Sequence, residues 1–349
     1  MSPPAPDRTA LPCPPDGLDL FLSEPTAGAA ATVARMAGPI LVLGAGGKMG
    51  LHLCLMLRRA RDAQGSSEPV VAVSRFTTLR DRAEFEQHGI QIEACDLLDE
   101  AALQRLPDAP TVFFLAGVKF GTATNPEVLQ RANVEMPRRV ARRFHRSHIV
   151  AFSTGCVYPF VSPASGGATE KTPVAPVGDY AISCLERERV FAAISLQEGT
   201  PVALIRLNYS VEFRYGVLVD LAQKVRAGLP IDVTTGHVNV IWQRDAVAQI
   251  IQSWSLAGSP AVPVNITGAQ ILSVRELALR FGHLFGREVR FEGREAGTAW
   301  LNNASRSHAR FGVPPTSVEQ MTAWIAAWID AGGNLWGKPT AFENRSGQY

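Results

Sequence analysis

Short, almost wholly apolar runs recur along the chain at 40–43, 70–73, 111–115, 149–152, 202–205 and 262–265, and most meet Gly or Ser within two or three residues. They are rich in Val, Ile, Leu and Phe and lack an in–out alternation, so they predict strands buried on both faces of a parallel sheet. Helix-length stretches such as 48–60, 127–143 and 184–196 separate them. That alternation predicts a doubly wound α/β fold, with a smaller α/β region toward the C-terminus. Residues 1–16 hold six prolines and little that can pack, which predicts a mobile leader. A short amphipathic piece at 17–22 and a helix opening near Ser23-Glu24-Pro25 complete a leader region over 1–38.

Composition narrows the function. With 349 residues, 46% of them hydrophobic, 19% charged and a formal charge of +2, the chain has ample material for a core. It lacks the basic surplus of a nucleic-acid binder. The one basic run, Arg138, Arg139, Arg142, Arg143 and Arg146, has helical spacing and reads as a solvated helix face. No apolar run approaches the length of a membrane span. Five dispersed cysteines and seven dispersed histidines form no metal-ligand pattern, so no metal is expected. Free thiols without an export or transit signal lead to the expectation of a cytoplasmic protein.

The first strand runs into Gly44-Ala45-Gly46-Gly47-Lys48-Met49-Gly50 and then a helix. Glycine lets backbone approach a pyrophosphate, and a helix N-terminus offers unpaired N–H groups with a favourable dipole. This turn is therefore expected to hold a dinucleotide through Gly44, Gly47, Lys48, Met49 and Gly50. The second strand ends Val73-Ser74-Arg75-Phe76 with no carboxylate to bond a ribose 2′-hydroxyl. Arg75, together with Lys48, suits a 2′-phosphate. NADP is therefore favoured, and NAD stays open if Arg75 only stacks on adenine or faces solvent. The expected organisation is a Rossmann-type dinucleotide domain over 39–205, a mainly substrate-binding region over 206–330 interleaved with the sheet, and a tail over 331–349.

Several ordered motifs over about 39–330 resemble the extended short-chain dehydrogenase/reductase family of NAD-dependent epimerases and dehydratases. The glycine turn is one. Cys95-Asp96-Leu97-Leu98-Asp99 is similar to the segment whose aspartate meets adenine, which implies Asp96 and Leu97 at the cofactor. Phe114-Leu115-Ala116-Gly117 resembles the cofactor-lining end of strand four, and Asn133-Val134 an inward-facing helix pair. Phe152-Ser153-Thr154-Gly155-Cys156-Val157-Tyr158 looks like the family's catalytic hydroxyl segment, implying Thr154. Tyr180-Ala181-Ile182-Ser183 looks like the surroundings of the catalytic tyrosine. Asn265-Ile266-Thr267-Gly268 and Phe311-Gly312-Val313-Pro314 resemble the C-terminal region. The resemblance implies a small-molecule substrate, a homodimer, and Tyr180 as the group that exchanges a proton with the reacting oxygen.

The departures from the family bear on mechanism. A lysine follows the family's tyrosine by four residues, holds the nicotinamide ribose and lowers the tyrosine's pKa; here that position is Cys184. An unperturbed tyrosine titrates near ~10, and lowering it by about two to three units takes roughly 3–4 kcal/mol, beyond a neutral thiol. Three readings stay open. Another cation substitutes, with Lys119 the first candidate and Arg187, seven residues past Tyr180, the second. Alternatively, Tyr180 works mainly as an acid, or catalysis is lost and a dinucleotide sensor remains. Cys184 itself is either a chemical group or plain packing.

The stretch Lys119 occupies is similar to the Ala-Ala-Lys-Val-Gly-Gly of GDP-fucose synthases. Nucleotide-sugar members also carry a diphosphate-gripping arginine where this chain has Val238. Arg214 is the candidate replacement, its loop position left open, and without it a substrate smaller than a nucleotide sugar is expected. Asn208, after the strand at 202–205, and His237 are the candidate substrate contacts. Each also reads as a plain turn or surface residue. The activity expected is redox chemistry on a hydroxyl or carbonyl of a small carbohydrate-like compound, with a sugar epimerase using transient oxidation as the nearest alternative.

Overall fold

The structure, a computed structural model, describes residues 11–77, 81–119 and 126–347. Seven parallel strands build its central sheet: β1 (Ile40–Leu43), β2 (Val70–Ser74), β3 (Gln91–Ala94), β4 (Thr111–Phe114), β5 (His148–Thr154), β6 (Val202–Leu207) and β7 (Val262–Ile266). Their order is β7–β6–β5–β4–β1–β2–β3, so the chain reverses direction across the sheet between β1 and β4. Ile40 pairs with Val70 on one side and Thr111 on the other. A crevice at the carboxyl ends of strands beside such a reversal is where this architecture takes ligands.

β1 and β4 are buried at every position, which accounts for their unbroken apolar sequence. β3 is absent from the sequence reading. It lies at the sheet edge, three of its four residues are exposed, and so no apolar run marks it. On one face of the sheet pack Ala27–Val33, α1 (Gly50–Asp62) and a helix over Gln243–Gln252. On the other pack α2 (Met136–Arg143) and α3 (Asp179–Glu198). β7 and the 243–252 helix thus come from the second half of the chain, and a separate core forms around Val217–Arg226, Val274–Phe285 and Val318–Asp330.

Residues 1–10 lie outside the described part, and in the amphipathic piece at 17–22 Leu18 and Leu22 are buried in the second core. The helix expected near Ser23 begins instead at Ala27, where the Thr26 hydroxyl accepts from Ala29 N, because the Ser23 hydroxyl is spent on the Asp19 carbonyl. The tail is docked as well. Thr340 donates both its N–H and its hydroxyl to Asp220, at 2.7 and 2.6 Å, and Phe342 is buried. Gly347 lies backbone to backbone on Gly178, immediately before the helix that carries Tyr180. No described helix is long and apolar enough to cross a membrane, and no metal-binding cluster occurs among the described residues.

Candidate active site

A cleft of about 390 Å³ opens at the carboxyl ends of β1, β4, β5 and β6. Its first wall is the glycine turn. Gly44 has φ +91°, and a Cβ there would collide with the backbone of Ala116; a Cβ on Gly50 would collide with the Ala45 carbonyl. The turn therefore needs both glycines, one for its left-handed bend and one for close packing of α1. Gly47 and Met49 complete the cradle. At its far end Arg75 is exposed, and Phe76 adopts φ +52° with its ring edge-on to Phe85. Asp96 is exposed and accepts from Leu98 N, whereas the Leu97 side chain turns into the core.

Lys48 does not share a site with Arg75. Its Nζ sits 3.3 Å from the centre of the Tyr215 ring, on the substrate side of the cleft. Burial, with Lys119 and Lys338 nearby, pushes its pKa down to about 7. The pairing of Lys48 with Arg75 around one phosphate is thus corrected by the direction in which Lys48 leaves the turn.

Thr154 and Tyr180 both line the cleft, Thr154 at the end of β5 and Tyr180 in the first turn of α3. Two hydroxyls stand side by side at Ser153 and Thr154, and their bonds distinguish them. Ser153 donates to Glu188 at 2.6 Å and is committed; the Thr154 oxygen only accepts from Cys156 N, at 3.2 Å, so its proton can go to a ligand. The Tyr180 hydroxyl is bonded to the Cys184 thiol, and burial, reinforced by Cys184 and Cys156, raises its pKa well above the usual value. Cys184 is fully buried, and burial raises its thiol as well. Tyr180 is therefore held as a proton donor.

The guanidinium closest to this chemistry is Arg187. It reaches back along α3 to donate to Asn133 at 2.6 Å and to the Phe152 carbonyl at 3.1 Å. It lies against Gly117, whose Cβ would collide with it, and its buried Nε has no protein partner. Asn133 is fully buried and also clasps Val118 through both its N–H and its carbonyl. It thus positions Arg187 and the loop after β4 and does not itself face the cleft. Lys119 lies across the cleft, its Nζ 5.7 Å from the Tyr180 ring centre and 3.5 Å from the Thr340 carbonyl. The Arg187 guanidinium opposes the burial that raises the pKa of both Tyr180 and Cys184, and Lys119 also feels Cys184.

Three expected contacts fall elsewhere. Asn208 turns away from the cleft and donates to the Trp300 carbonyl; Tyr209, with φ +41°, lines the cleft in its place. His237 pairs with Ser273 in a two-stranded ribbon outside the cleft. Arg214 is engaged by Glu212 at 3.1 Å and Asp19 at 2.8 Å, while Val238 is fully buried, so neither supplies a diphosphate grip. Sequence reasoning missed His52, which is buried and bonded to Asp19 at 2.7 Å and Gln243 at 2.5 Å. It also missed Thr340 on the cleft wall. A second hollow of about 200 Å³, beside Val240, Gly268 and Met321, has no ionisable side chain among its described lining residues.

The cradle, the two hydroxyls and Arg187 can together hold a dinucleotide and move a proton at one oxygen. Residues 40–237 match the model of the NAD dependent epimerase/dehydratase family. No curated protein matches the chain in sequence. Among solved structures it is similar to MoeE5 in complex with UDP-glucose and NAD, at 20% identity over 84% of this chain and 99% of that one, with a TM-score of 0.68. UDP-glucose 4-epimerase from Thermotoga maritima is 15% identical over 84% and 99%, with a TM-score of 0.67. UDP-glucuronic acid 4-epimerase from Bacillus cereus is 16% identical over 83% and 97%, also with a TM-score of 0.67. At these identities the likeness is one of fold.

Proposed function

Because the chain belongs to the NAD dependent epimerase/dehydratase family, we propose that it transfers a hydride between a nicotinamide dinucleotide and a hydroxyl or carbonyl of a small carbohydrate-like molecule. The reading is carried by one observation: Thr154 and Tyr180 share a cleft with the glycine cradle. The nicotinamide, when bound, gives or takes the hydride. Thr154 donates a hydrogen bond that orients the reacting oxygen, and Tyr180 supplies its proton. Arg187 fixes the floor beside them and takes over the positive charge that the family's lysine would bring. A protonated tyrosine serves carbonyl reduction directly, and alcohol oxidation only after losing its proton.

The engaged state of Arg214 and the burial of Val238 support a substrate without a nucleoside diphosphate. The 4-epimerases among the similar solved structures favour the second reading, oxidation and re-reduction of one carbon on the same groups. Incubating the protein with each dinucleotide and a panel of free sugars, sugar acids and UDP-sugars tests both. Net change in reduced cofactor supports the oxidoreductase, and an isomeric product without such change supports the epimerase. Tight UDP-sugar binding with every free sugar inert would overturn the small substrate.

Two measurements examine the cofactor side. With Arg75 at the end of β2 and no carboxylate there, NADP is expected to bind about five- to tenfold tighter than NAD, and Arg75→Ser to erase the difference. Equal melting shifts from both dinucleotides in the unmodified protein would refute this. Replacing Arg187 with Met is expected to weaken dinucleotide binding about tenfold, or ~1.4 kcal/mol. Lys119→Met should leave that affinity within about twofold, and calorimetry on both variants makes the comparison.

A further inference from the structure

Past the helix Val318–Asp330 the chain turns back along the cleft. Trp336 comes first. Its backbone N–H donates to the Arg214 carbonyl at 3.2 Å, and its ring stacks on Tyr215, a wall residue of the cleft, with centroids 5.8 Å apart. The Arg214 guanidinium lies 5.2 Å from the centre of the same indole. Further along, Thr340 enters the wall itself. Both its donors go to Asp220, and its carbonyl is 3.5 Å from the Lys119 Nζ, which in turn is 5.7 Å from the centre of the Tyr180 ring.

Anchoring the tail does not require these contacts. Phe342 is buried in the second core, Arg345 donates to the Thr298 carbonyl at 2.6 Å and to its hydroxyl at 2.9 Å, and Gly347 lies on Gly178. Those three hold the segment to the second core, to Thr298 and to the start of α3. What Trp336 and Thr340 change is the room in the site. The cleft measures about 390 Å³, toward the lower end of the about 300–1,000 Å³ usual for ligand sites, and it must take the reacting ends of a dinucleotide and a substrate. The indole also lies against the one guanidinium considered above for a diphosphate. Arg214, already paired with Asp19 and Glu212, keeps only 11% of its side chain exposed.

We propose that the C-terminal tail is a specificity element of this site: Trp336 covers Tyr215 and Arg214, Thr340 walls the cleft, and together they shut out a nucleoside diphosphate and leave space for a molecule of free-sugar size. This rests on the hydride-transfer reading above and gives its small substrate a structural cause.

The test is calorimetric binding of UDP and of UDP-glucose, with the dinucleotide saturating, to the full chain, to a chain ended after Gly333, and to Trp336→Ala and Trp336→Phe. The shortened chain and Trp336→Ala should bind both compounds at least about tenfold tighter than the full chain, whereas Trp336→Phe, which keeps a ring on Tyr215, should stay near the full chain. Should loss of Phe342 from the core leave the shortened chain unfolded, the two Trp336 variants, checked for an unchanged unfolding transition, decide the matter. No gain in folded Trp336→Ala overturns the exclusion by the tail and leaves both hydride transfer and the small substrate standing. UDP-glucose binding by the full chain as tight as by Trp336→Ala overturns the exclusion and the small substrate together. The hydride-transfer reading fails separately, on absence of turnover for every free sugar, sugar acid and UDP-sugar in the full chain.

Discussion

Tyr180→Phe is expected to lower kcat about a thousandfold while leaving dinucleotide affinity within about twofold, since a positioned general acid contributes roughly 10²–10⁴-fold. The substitution keeps the ring and removes only the hydroxyl, so its effect reports on proton transfer and not on the shape of the cleft. The pH dependence gives a second, independent readout. Burial and the neighbouring thiols raise the tyrosine pKa, so the proton stays on through neutral and mildly alkaline pH. Carbonyl reduction, which needs that proton, should be level across this range. Alcohol oxidation needs the tyrosinate, whose population grows about tenfold per pH unit below the pKa, and should climb without a plateau. A plateau in oxidation near neutrality would mean that a different group takes the proton. Unchanged turnover in Tyr180→Phe would end the assignment of Tyr180 as the acid.

The parts of the site legible in the sequence are those fixed by local backbone. β1, the glycine turn and the start of α1 follow from a strand that must be apolar and a turn that rejects Cβ atoms at Gly44 and Gly50. The seven-residue spacing of Tyr180 and Arg187 on one helix face was equally readable. Where the Arg187 guanidinium ends up was not, because that depends on Asn133 and the Phe152 carbonyl capturing it from other elements. Side-chain direction out of a turn is similarly non-local: Lys48 swings to Tyr215, and Asn208 turns to Trp300. The bonds of His52 join residues 19, 52, 214 and 243, which no window of sequence displays together.

Motifs that resembled the family divide into two kinds once the bonds are traced. Thr154 and Tyr180 face the cleft, but Tyr158 and Asn265 belong to the support behind it. The Tyr158 hydroxyl donates to Asn265 at 2.9 Å and accepts from Arg206 at 2.8 Å; Asn265 in turn holds the Ala168 carbonyl. These residues tie β5, β6 and β7 together where the chain leaves β5 after Thr154.

The centre of that support yields the largest expected loss of stability. Arg206 meets Glu188 with two parallel bonds, Nε to Oε1 at 2.9 Å and an NH2 nitrogen to Oε2 at 2.7 Å, and both side chains are buried. Glu188 Oε1 also accepts from Ser153, the residue before Thr154. Arg206→Met would leave a buried carboxylate without its cation, an alteration that costs about 3–5 kcal/mol. Exchanging both partners, Arg206→Met with Glu188→Leu, should cost less than Arg206→Met alone, because no uncompensated charge remains and much of the desolvation penalty disappears. Denaturant unfolding of the two single variants and the double variant measures the coupling. A loss below about 1 kcal/mol for Arg206→Met would place the pair with surface ion pairs, whose contribution is small. If the double variant folds yet turns over slowly, the pair's main contribution is to aim Ser153 and Thr154. If it folds and retains full activity, the pair serves the sheet alone, and the position of Thr154 is set by its own bond to Cys156.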